Sequence, residues 1–249
     1  MSTDVIDFQE IEPGIAHIRM QDRAYKNTFS RALVDALILA FKQIESAERY
    51  KAVILTGYDN YFATGGTQED LFALQAGKGK FTDTNIYSLP LECPIPVISA
   101  MQGHAVGGGL VMGLFADFVI MSKESIYTAN FMKYGFTPGM GGTLIVPEKL
   151  GLALGHEMLM LGNNYRGEAL RQRGVPFPVY PRADVAAAAL SIARDLVKKP
   201  RLSLITLKAH LTQHLRAQLS TYTAQEVLMH EKTFFQPEVR QNIDRLFGN

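Results

Sequence analysis

A run of three glycines that leads into an apolar segment is the feature of this sequence that most constrains its fold. Residues 103 to 117 read GHAVGGGLVMGLFAD, and they follow a short apolar segment, Pro96 to Ala100, that is typical of a buried strand. Glycines allow a tight turn, and the N-terminus of the helix that follows leaves backbone N–H groups unpaired, where partial positive charge collects. The sequence therefore predicts a strand, a turn and a helix whose N-terminus can hold an oxyanion.

The first half of the chain alternates between strand and helix patterns. Short apolar strands are predicted over Ile15 to Met20, Ala52 to Thr56 and Phe118 to Met121. Between the first two, an amphipathic helix is predicted from about Ser30 to Ser46, with Ser30 as its N-cap. This order predicts an α/β fold with a layered core around a buried sheet.

From about Thr143 onward the periodicity becomes helical. The predicted helical segments are Leu144 to Leu150, Leu152 to Leu161, Ala183 to Lys198, Leu202 to Leu219 and Gln225 to Phe247. One segment before them, Gly77 to Lys80, has two glycines and two charges and little to bury, so we expect a mobile loop there.

Composition and charge exclude several classes of partner. The 249 residues are 47% hydrophobic with a formal net charge of +1, which predicts one sizeable core and gives no field that would attract nucleic acid. No apolar run approaches the roughly 18 residues of a membrane span, and the opening MSTDVIDFQEIE lacks the pattern of a secretory leader. The single cysteine, Cys93, predicts no internal disulfide. We therefore expect a soluble, cytoplasmic protein without nucleic-acid or membrane partners.

Three glycine-rich turns occur in a specific order, over Tyr61 to Gly66, Gly107 to Gly109 and Pro138 to Gly142. With the early segment MQDRAYKNTFSRAL, which looks like an NRPxxxNAL motif, they give a sequence that resembles the crotonase, or enoyl-CoA hydratase/isomerase, superfamily over essentially the whole chain. The resemblance implies a crotonase-like spiral of ββα units over residues 1–195. It also implies a C-terminal helical region over residues 196–249 that serves for trimerisation or as a lid.

The same resemblance implies an active site in which two backbone N–H groups hold a thioester carbonyl. By position these are the N–H groups of Thr64 and Gly108. An enolate oxygen that develops on a thioester needs donors fixed in advance, and the loss of one such donor typically raises the barrier by about 3 kcal/mol. We therefore expect an oxyanion hole at these two turns.

The chain departs from the hydratase pattern at the two positions where hydratases carry glutamates. Here these positions are Val111 and Phe131. Without a carboxylate nothing at these positions takes a proton from water, so hydration is not expected, and isomerisation lacks its proton shuttle. Loss of CO2 from a thioester-conjugated carboxylate needs only an electron sink and a dry pocket, because the leaving group is neutral. We therefore expect Val111 and Phe131 to line an apolar substrate pocket of a decarboxylase.

The carbanion left after decarboxylation needs one proton, and the candidates are Lys80 and His230. The segments GYDNYFATGGTQEDL, GKGKFT, ANFMKYGFTPGMGGT and MHEKTF resemble the decarboxylating crotonase homologues of polyketide β-branching cassettes, which lack the glutamates and use a lysine and a histidine. Which of the two donates the proton and which holds the carboxylate stays open. Tyr87 is either a third contact or a packing aromatic.

The subfamily resemblance implies a 3-methylglutaconyl-type thioester on an acyl carrier protein, converted to a 3-methylcrotonyl-type thioester. No cofactor is expected, because the thioester is itself the electron sink and phosphopantetheine, on a carrier protein or CoA, is the handle. Basic residues such as Lys26 either meet the phosphate of that handle or are ordinary exposed side chains. Homotrimers, or hexamers built from them, are also implied.

Two alternatives to the decarboxylase stay open: a hydratase or isomerase with atypical acids, and a non-catalytic scaffold that binds an acyl carrier. A metal site is not expected. His210 and His214 have the i, i+4 spacing of a helical metal pair, but no third ligand is evident. His104 precedes the glycine turn and is interpreted as structural.

Overall fold

Two sheets form the framework of the protein, and the computed structural model describes them within residues 3–247. The strands are β1 Ile6–Glu12, β2 Ile15–Met20, β3 Ala52–Thr56, β4 Tyr61–Ala63, β5 Val97–Met101, β6 His104–Val106, β7 Phe118–Ser122, β8 Ile126–Thr128, β9 Tyr165–Arg166 and β10 Val179–Tyr180. The larger sheet has the order β1-β2-β3-β5-β7-β10 and the smaller has the order β4-β6-β8-β9. Apart from the antiparallel pairs β1–β2 and β8–β9, the strands pair in parallel.

Helices connect and cover these strands. They are α1 Arg31–Ser46, α2 Gln68–Gln75, α3 Leu89–Glu92, α4 Gly108–Leu114, α5 Gly142–Leu150, α6 Leu152–Leu161, α7 Gly167–Gln172, α8 Arg182–Val197, α9 Arg201–Leu211, α10 Gln213–Thr233 and α11 Pro237–Phe247. Short 3-10 helices occur at Ile86–Ser88 and Asn130–Lys133. Among the residues described, no helix has the length and apolar character needed to cross a membrane.

After β5 the chain turns within a few residues, forms β6 and then enters α4. A unit of two strands and a helix of this kind contributes one strand to each sheet. Because parallel strands need crossover connections, both sheets advance together along the chain, which is the spiral of ββα units that the resemblance to crotonases implies. The predicted fold is confirmed. This arrangement brings the ends of β4 and β6 close to the start of α4.

Two apolar clusters hold the layers together. On one face of the larger sheet, small residues of α8 pack against strand residues such as Ile54, Ile98 and Ile120. The other face packs against a larger cluster that includes residues of α1 and α4. The boundary predicted at residues 195 and 196 falls inside α8, which ends at Val197 and packs on the core.

Two of the helical segments predicted in the C-terminal region are divided in the structure. The single helix expected over Leu202 to Leu219 is broken at Thr212, between α9 and α10. At Thr212 the backbone has φ −95° and ψ 1°, outside helical values. Its hydroxyl donates to the carbonyl of Lys208 at 2.8 Å and accepts from Arg216 Nε at 3.0 Å, and back-bonding of this kind bends helices. The segment predicted over Gln225 to Phe247 likewise comprises the end of α10 and a separate helix, α11.

The C-terminal helices are attached to the core by a buried ion pair. The ammonium of Lys208 on α9 lies 2.7 Å from Asp117 Oδ2, and the lysine side chain is only 3% exposed. Its remaining protons are donated to the carbonyls of Pro90 at 2.8 Å and Ile95 at 3.1 Å. A buried ammonium is stable only with such partners, so Lys208 fixes where α9, and after it α10, begin relative to the sheet.

Candidate active site

The three glycine turns meet at a cavity of about 350 Å³ in front of the N-terminus of α4. Much of its wall is apolar, from Leu71, Leu74, Ile86, Phe131, Phe136 and Met140. The charged groups that line it, Arg31, Asp70, Lys78, Lys80 and Asp83, are exposed. The site therefore combines an apolar interior with a polar edge, as small-molecule sites usually do.

Gly107 and Gly109 allow the first two glycine turns to lie close to each other. Gly107 has a φ of +54°, and Gly109 lies so close to the carbonyl of Ala63 that a side chain at position 109 would collide with it. Gly108 is the first residue of α4, so its N–H has no intrahelical acceptor. Because Gly108 also lines the cavity, this N–H is available to a ligand.

The second predicted donor, Thr64, needs correction. Thr64 N–H donates to the carbonyl of Asn27 at 3.1 Å, so it is already committed to the protein. Asn27 is fully buried, and its side-chain amide donates to the carbonyls of Met20 and Phe62 at 3.1 and 2.9 Å, which holds this carbonyl in place. Thr64 therefore lines the cavity without offering its N–H to it.

Gly66, two residues later, has the free N–H group. The carbonyl of Gly65 accepts from Phe29 N–H at 2.7 Å, and because the peptide is trans, the N–H of Gly66 points away from Phe29. This N–H has no acceptor within residues 3–247, and Gly66 lines the cavity. A Cβ placed on Gly65 would lie 3.4 Å from the nitrogen of Gly108, so the two glycine turns are adjacent there. The geometry favours Gly66 and Gly108 as the pair of donors.

Lys80 lies at the edge of the cavity, on an exposed segment after α2. Its backbone N–H donates to Asp83 Oδ2 at 2.8 Å, and Asp83 N–H donates back to the Lys80 carbonyl at 3.1 Å. In the part of the chain that the structure describes, no carboxylate pairs with the Lys80 ammonium. The backbone at Lys80 is therefore held while its charge is free to meet a ligand.

His230 lies one side chain behind the cavity wall. It is on α10, is 9% exposed, and its Nε2–H donates to the carbonyl of Thr137 at 2.8 Å. Its ring is 4.9 Å, centroid to centroid, from Phe81, which lines the cavity and directly follows Lys80. Burial lowers the pKa of His230, so the neutral imidazole is favoured. The structure thus brings Lys80 and His230 to the same end of the cavity, with Phe81 between His230 and the open space.

Of the predicted pocket residues, Phe131 lines the cavity, whereas Val111 and Tyr87 do not. Val111 is fully buried in the middle of α4 and packs towards Gly142, where Phe131 also packs. Tyr87 is buried with its ring 6.3 Å from that of Phe115, and burial raises its pKa. The expectation that Val111 forms the cavity wall is therefore corrected, and Tyr87 is a packing aromatic.

Glu226 is a residue at this site that the sequence interpretation missed. It precedes His230 by one helical turn on α10, is 1% exposed, and receives three hydrogen bonds from the third glycine turn and the residue that follows it. Gly141 N–H donates to Oε2 at 2.7 Å, and the N–H and hydroxyl of Thr143 donate to Oε1 at 2.8 and 2.6 Å. The i, i+4 spacing of Glu226 and His230 was the signal available in the sequence.

His104 and His214 each have a partner outside the cavity. His104 Nδ1 accepts from Ile126 N–H at 3.0 Å on the smaller sheet. His214 lies 3.0 Å from Glu148 at the surface. Within the described residues, no group of three or more potential ligands could hold a metal ion.

Comparison with known proteins gives relatives over the whole chain. The family described as enoyl-CoA hydratase/isomerase matches residues 10–247. The chain is 59% identical to the bacillaene synthase decarboxylase PksI of Bacillus subtilis (strain 168), over 249 residues and the full length of both proteins.

Two solved structures are similar to this chain over almost its whole length. One, from work on a dehydratase/decarboxylase enzyme couple involved in polyketide beta-branching, is 59% identical with a TM-score of 0.97 and covers 98% of this chain and 100% of its own. The ECH2 decarboxylase domain of CurF from Lyngbya majuscula is 43% identical with a TM-score of 0.94, at the same coverage.

Proposed function

Because the chain belongs to the enoyl-CoA hydratase/isomerase family, we propose that its cavity binds an acyl thioester and removes CO2 from it. The observation that carries this proposal is the pairing of two backbone donors, on Gly66 and Gly108, that have no acceptor among the described residues, with a wall in which Phe131 stands where a hydratase needs a glutamate. Such a site stabilises negative charge on a carbonyl oxygen but has no base there to activate water.

The proposed substrate is a 3-methylglutaconyl-type thioester on the phosphopantetheine arm of an acyl carrier protein. Two observations support it: relatives at 59% and 43% identity are decarboxylases, and a similar structure comes from a couple in polyketide beta-branching. The thioester supplies the electron sink, so the chemistry needs no further cofactor.

In the proposed reaction, the bond between the γ carbon and the distal carboxylate breaks. Its electron pair moves through the conjugated chain to the thioester oxygen, where the N–H groups of Gly66 and Gly108 stabilise the dienolate. CO2 leaves as a neutral molecule, and a proton then adds to the γ carbon to give the 3-methylcrotonyl-type product. The apolar wall favours this step, because a carboxylate loses its hydration in a dry site.

Lys80 is proposed as the group that holds the carboxylate and delivers the proton. Lys80 lines the cavity, and no carboxylate within residues 3–247 pairs with its ammonium. An ammonium that holds the substrate carboxylate is next to the carbon that needs a proton once CO2 has left. His230 is the second candidate, but Phe81 separates it from the cavity and its Nε2–H is already donated to Thr137. It needs a rearrangement of Phe81 to touch the substrate.

A mass-resolved assay with 3-methylglutaconyl thioester, on pantetheine and on a carrier protein, tests the proposal. Decarboxylation lowers the product mass by that of CO2, whereas an isomerase conserves mass and a scaffold leaves the substrate unchanged. In D2O, decarboxylation also places one deuterium on the product. Addition of water at a comparable rate would contradict the proposal.

We also propose that the protein assembles into homotrimers and acts in the cytoplasm. Large apolar side chains remain exposed on α6, α9 and α10, including Met160, Leu207, Leu211 and Leu228, and burial against a second copy would remove them from water. Cys93 is buried and unpaired, and burial raises its pKa to about 11, which suits an unreactive thiol in a reducing compartment.

Lys26 is the proposed contact of the pantetheine phosphate. It lies beside the cavity, because its carbonyl accepts from the hydroxyl of Thr64, a lining residue, at 2.8 Å.

A further inference from the structure

Helix α10 holds both ends of the third glycine turn. At the near end, Thr137 bonds to His230 through its carbonyl at 2.8 Å and to Thr233 Oγ1 through its N–H at 3.3 Å. At the far end, the carboxylate of Glu226 accepts from Gly141 and Thr143. The segment between these anchors is therefore set by α10, which is more than 80 residues away in sequence.

Met140 is the residue that this clamp presents to the cavity. It has a φ of +63°, a left-handed conformation that is unfavourable for a residue with a side chain, so it persists only where its surroundings impose it. A Cβ placed on Gly108 would lie 2.6 Å from Met140 Sδ, which shows how closely this side chain covers the N-terminus of α4. Met140 thus forms the wall directly against the oxyanion donor.

We propose that Glu226 is a positioning residue for the oxyanion site: its carboxylate fixes the Gly141 turn, the turn holds Met140 in its left-handed conformation, and Met140 sets the space beside the N–H of Gly108. The inference rests on the proposed function, because it assumes that a thioester oxygen is bound there. Glu226 itself does not line the cavity.

A carboxylate is the group that this position requires. Three donors, two N–H groups and one hydroxyl, converge on its two oxygens, and the carboxylate lies at the N-terminus of α5, where negative charge is favoured. Alanine would leave all three donors unpaired and the turn unsupported. Glutamine keeps the size but turns one oxygen into an NH2 group that faces a donor, so we expect it to restore the site only in part.

The experiment compares Glu226→Ala and Glu226→Gln with the parent enzyme and with Glu231→Ala, which removes an exposed glutamate from the same helix. The main readout is the infrared stretching frequency of the 13C-labelled carbonyl of bound 3-methylcrotonyl-pantetheine, a thioester without a carboxylate to lose. Donors aligned on the oxygen lower this frequency. The second readout is the separate measurement of kcat and KM for decarboxylation.

In Glu226→Ala we expect most of the frequency shift to be lost, because the wall beside Gly108 is no longer fixed. Since a misplacement of about 1 Å can cost about 100-fold in rate, we expect kcat to fall about 10- to 100-fold while KM changes less than about threefold. Glu226→Gln should lie in between, and Glu231→Ala should match the parent. If alanine prevents folding, Thr143→Val, which removes one donor and leaves the carboxylate, should give a smaller loss of the same kind.

A full carbonyl shift and parental kcat in folded Glu226 variants, with only a lower stability to urea, would overturn the inference and leave the proposed function intact. A parent enzyme that shifts the carbonyl but releases no CO2 would contradict the decarboxylase while the positioning role is still tested by the variants. A carbonyl that is unshifted in the parent would contradict the oxyanion site, and the inference with it.

Discussion

At the residue scale, Lys80 is the side chain on which the proposed chemistry depends most directly. Lys80→Met keeps the length of the side chain and removes its charge, so we expect kcat for CO2 release to fall about 100-fold or more, the usual contribution of a positioned acid. Lys78→Met is the matched control, because Lys78 is exposed on the same loop and also lines the cavity. Equal activity of the two variants would remove Lys80 from the mechanism.

Phe131 tests whether the site must be dry. Phe131→Glu places a hydrated carboxylate in the cavity wall, so we expect slower decarboxylation with the fold retained, whereas Phe131→Leu should have little effect. Circular dichroism checks the fold, and CO2 release measures the rate. Faster decarboxylation in Phe131→Glu would contradict the role given to the apolar wall. Val111→Glu is not an equivalent test, because Val111 is fully buried and a charge there should prevent folding.

His230 should make stability depend on pH. Burial lowers its pKa, so below the ordinary histidine pKa of about 6.5 the unfolded chain binds a proton that the folded protein does not. The contribution of His230 to the free energy of unfolding is therefore complete above that pH. It decreases as the pH falls, by at most about 1.4 kcal/mol per pH unit for one group. His230→Gln should flatten this dependence in urea unfolding between about pH 7.5 and 5.5. Since His17 and His104, whose pKa values burial also lowers, remain in both proteins, parallel curves would contradict the assignment.

Residue-level predictions from the sequence succeeded where the local pattern fixes the geometry. Gly108 begins α4, as a glycine turn before an apolar helix requires. The neighbouring donor was misplaced at Thr64, because only the tertiary hydrogen bond to Asn27 shows that this N–H is used. Glu226 was missed for a similar reason: its i, i+4 spacing relates it to His230, but its hydrogen-bond partners, Gly141 and Thr143, are far away in sequence.

At the element scale, the ion pair between Lys208 and Asp117 attaches α9 to the core, and its loss should lower stability. Lys208→Met leaves the half-buried carboxylate of Asp117 without this cation and the carbonyls of Pro90 and Ile95 without their donor, so we expect a loss of about 3–5 kcal/mol in the free energy of unfolding, measured with urea. Lys198→Met, which breaks an exposed pair with Asp195, should cost less than about 1 kcal/mol. Similar losses in both variants would contradict the structural role of Lys208.

The start of a helix was predictable where the residue that caps it is adjacent in sequence. Ser30 accepts from Leu33 N–H at 3.2 Å, so α1 starts where the sequence placed it. The break at Thr212 was not predicted, because threonine is tolerated in helices and its turn depends on the hydroxyl bonding back to Lys208. Apolar periodicity continues through both helices and therefore does not report the break.

At the scale of the whole molecule, the α/β class and the order of its first strands followed from the alternation of strand and helix patterns. The division into two sheets did not, because β4, β6 and β8 have only three residues each and carry no period that a sequence window can detect. These short strands nevertheless bring the glycine turns together. The resemblance to a known family, not periodicity, supplied this part of the architecture.

Assembly is the last property to test at this scale. Leu207 and Leu211 are four residues apart on α9, so they share one face, and they are 56% and 61% exposed. If this face is an interface of the proposed trimer, the double variant Leu207→Glu with Leu211→Glu should shift the protein to monomers in light scattering, because charges cannot be buried there without partners. Leu39→Glu, at an exposed apolar position on α1, is the control and should leave the trimer intact. A parent protein that is monomeric would contradict the proposed trimer, and a trimer that persists in the double variant would place its interface on another face.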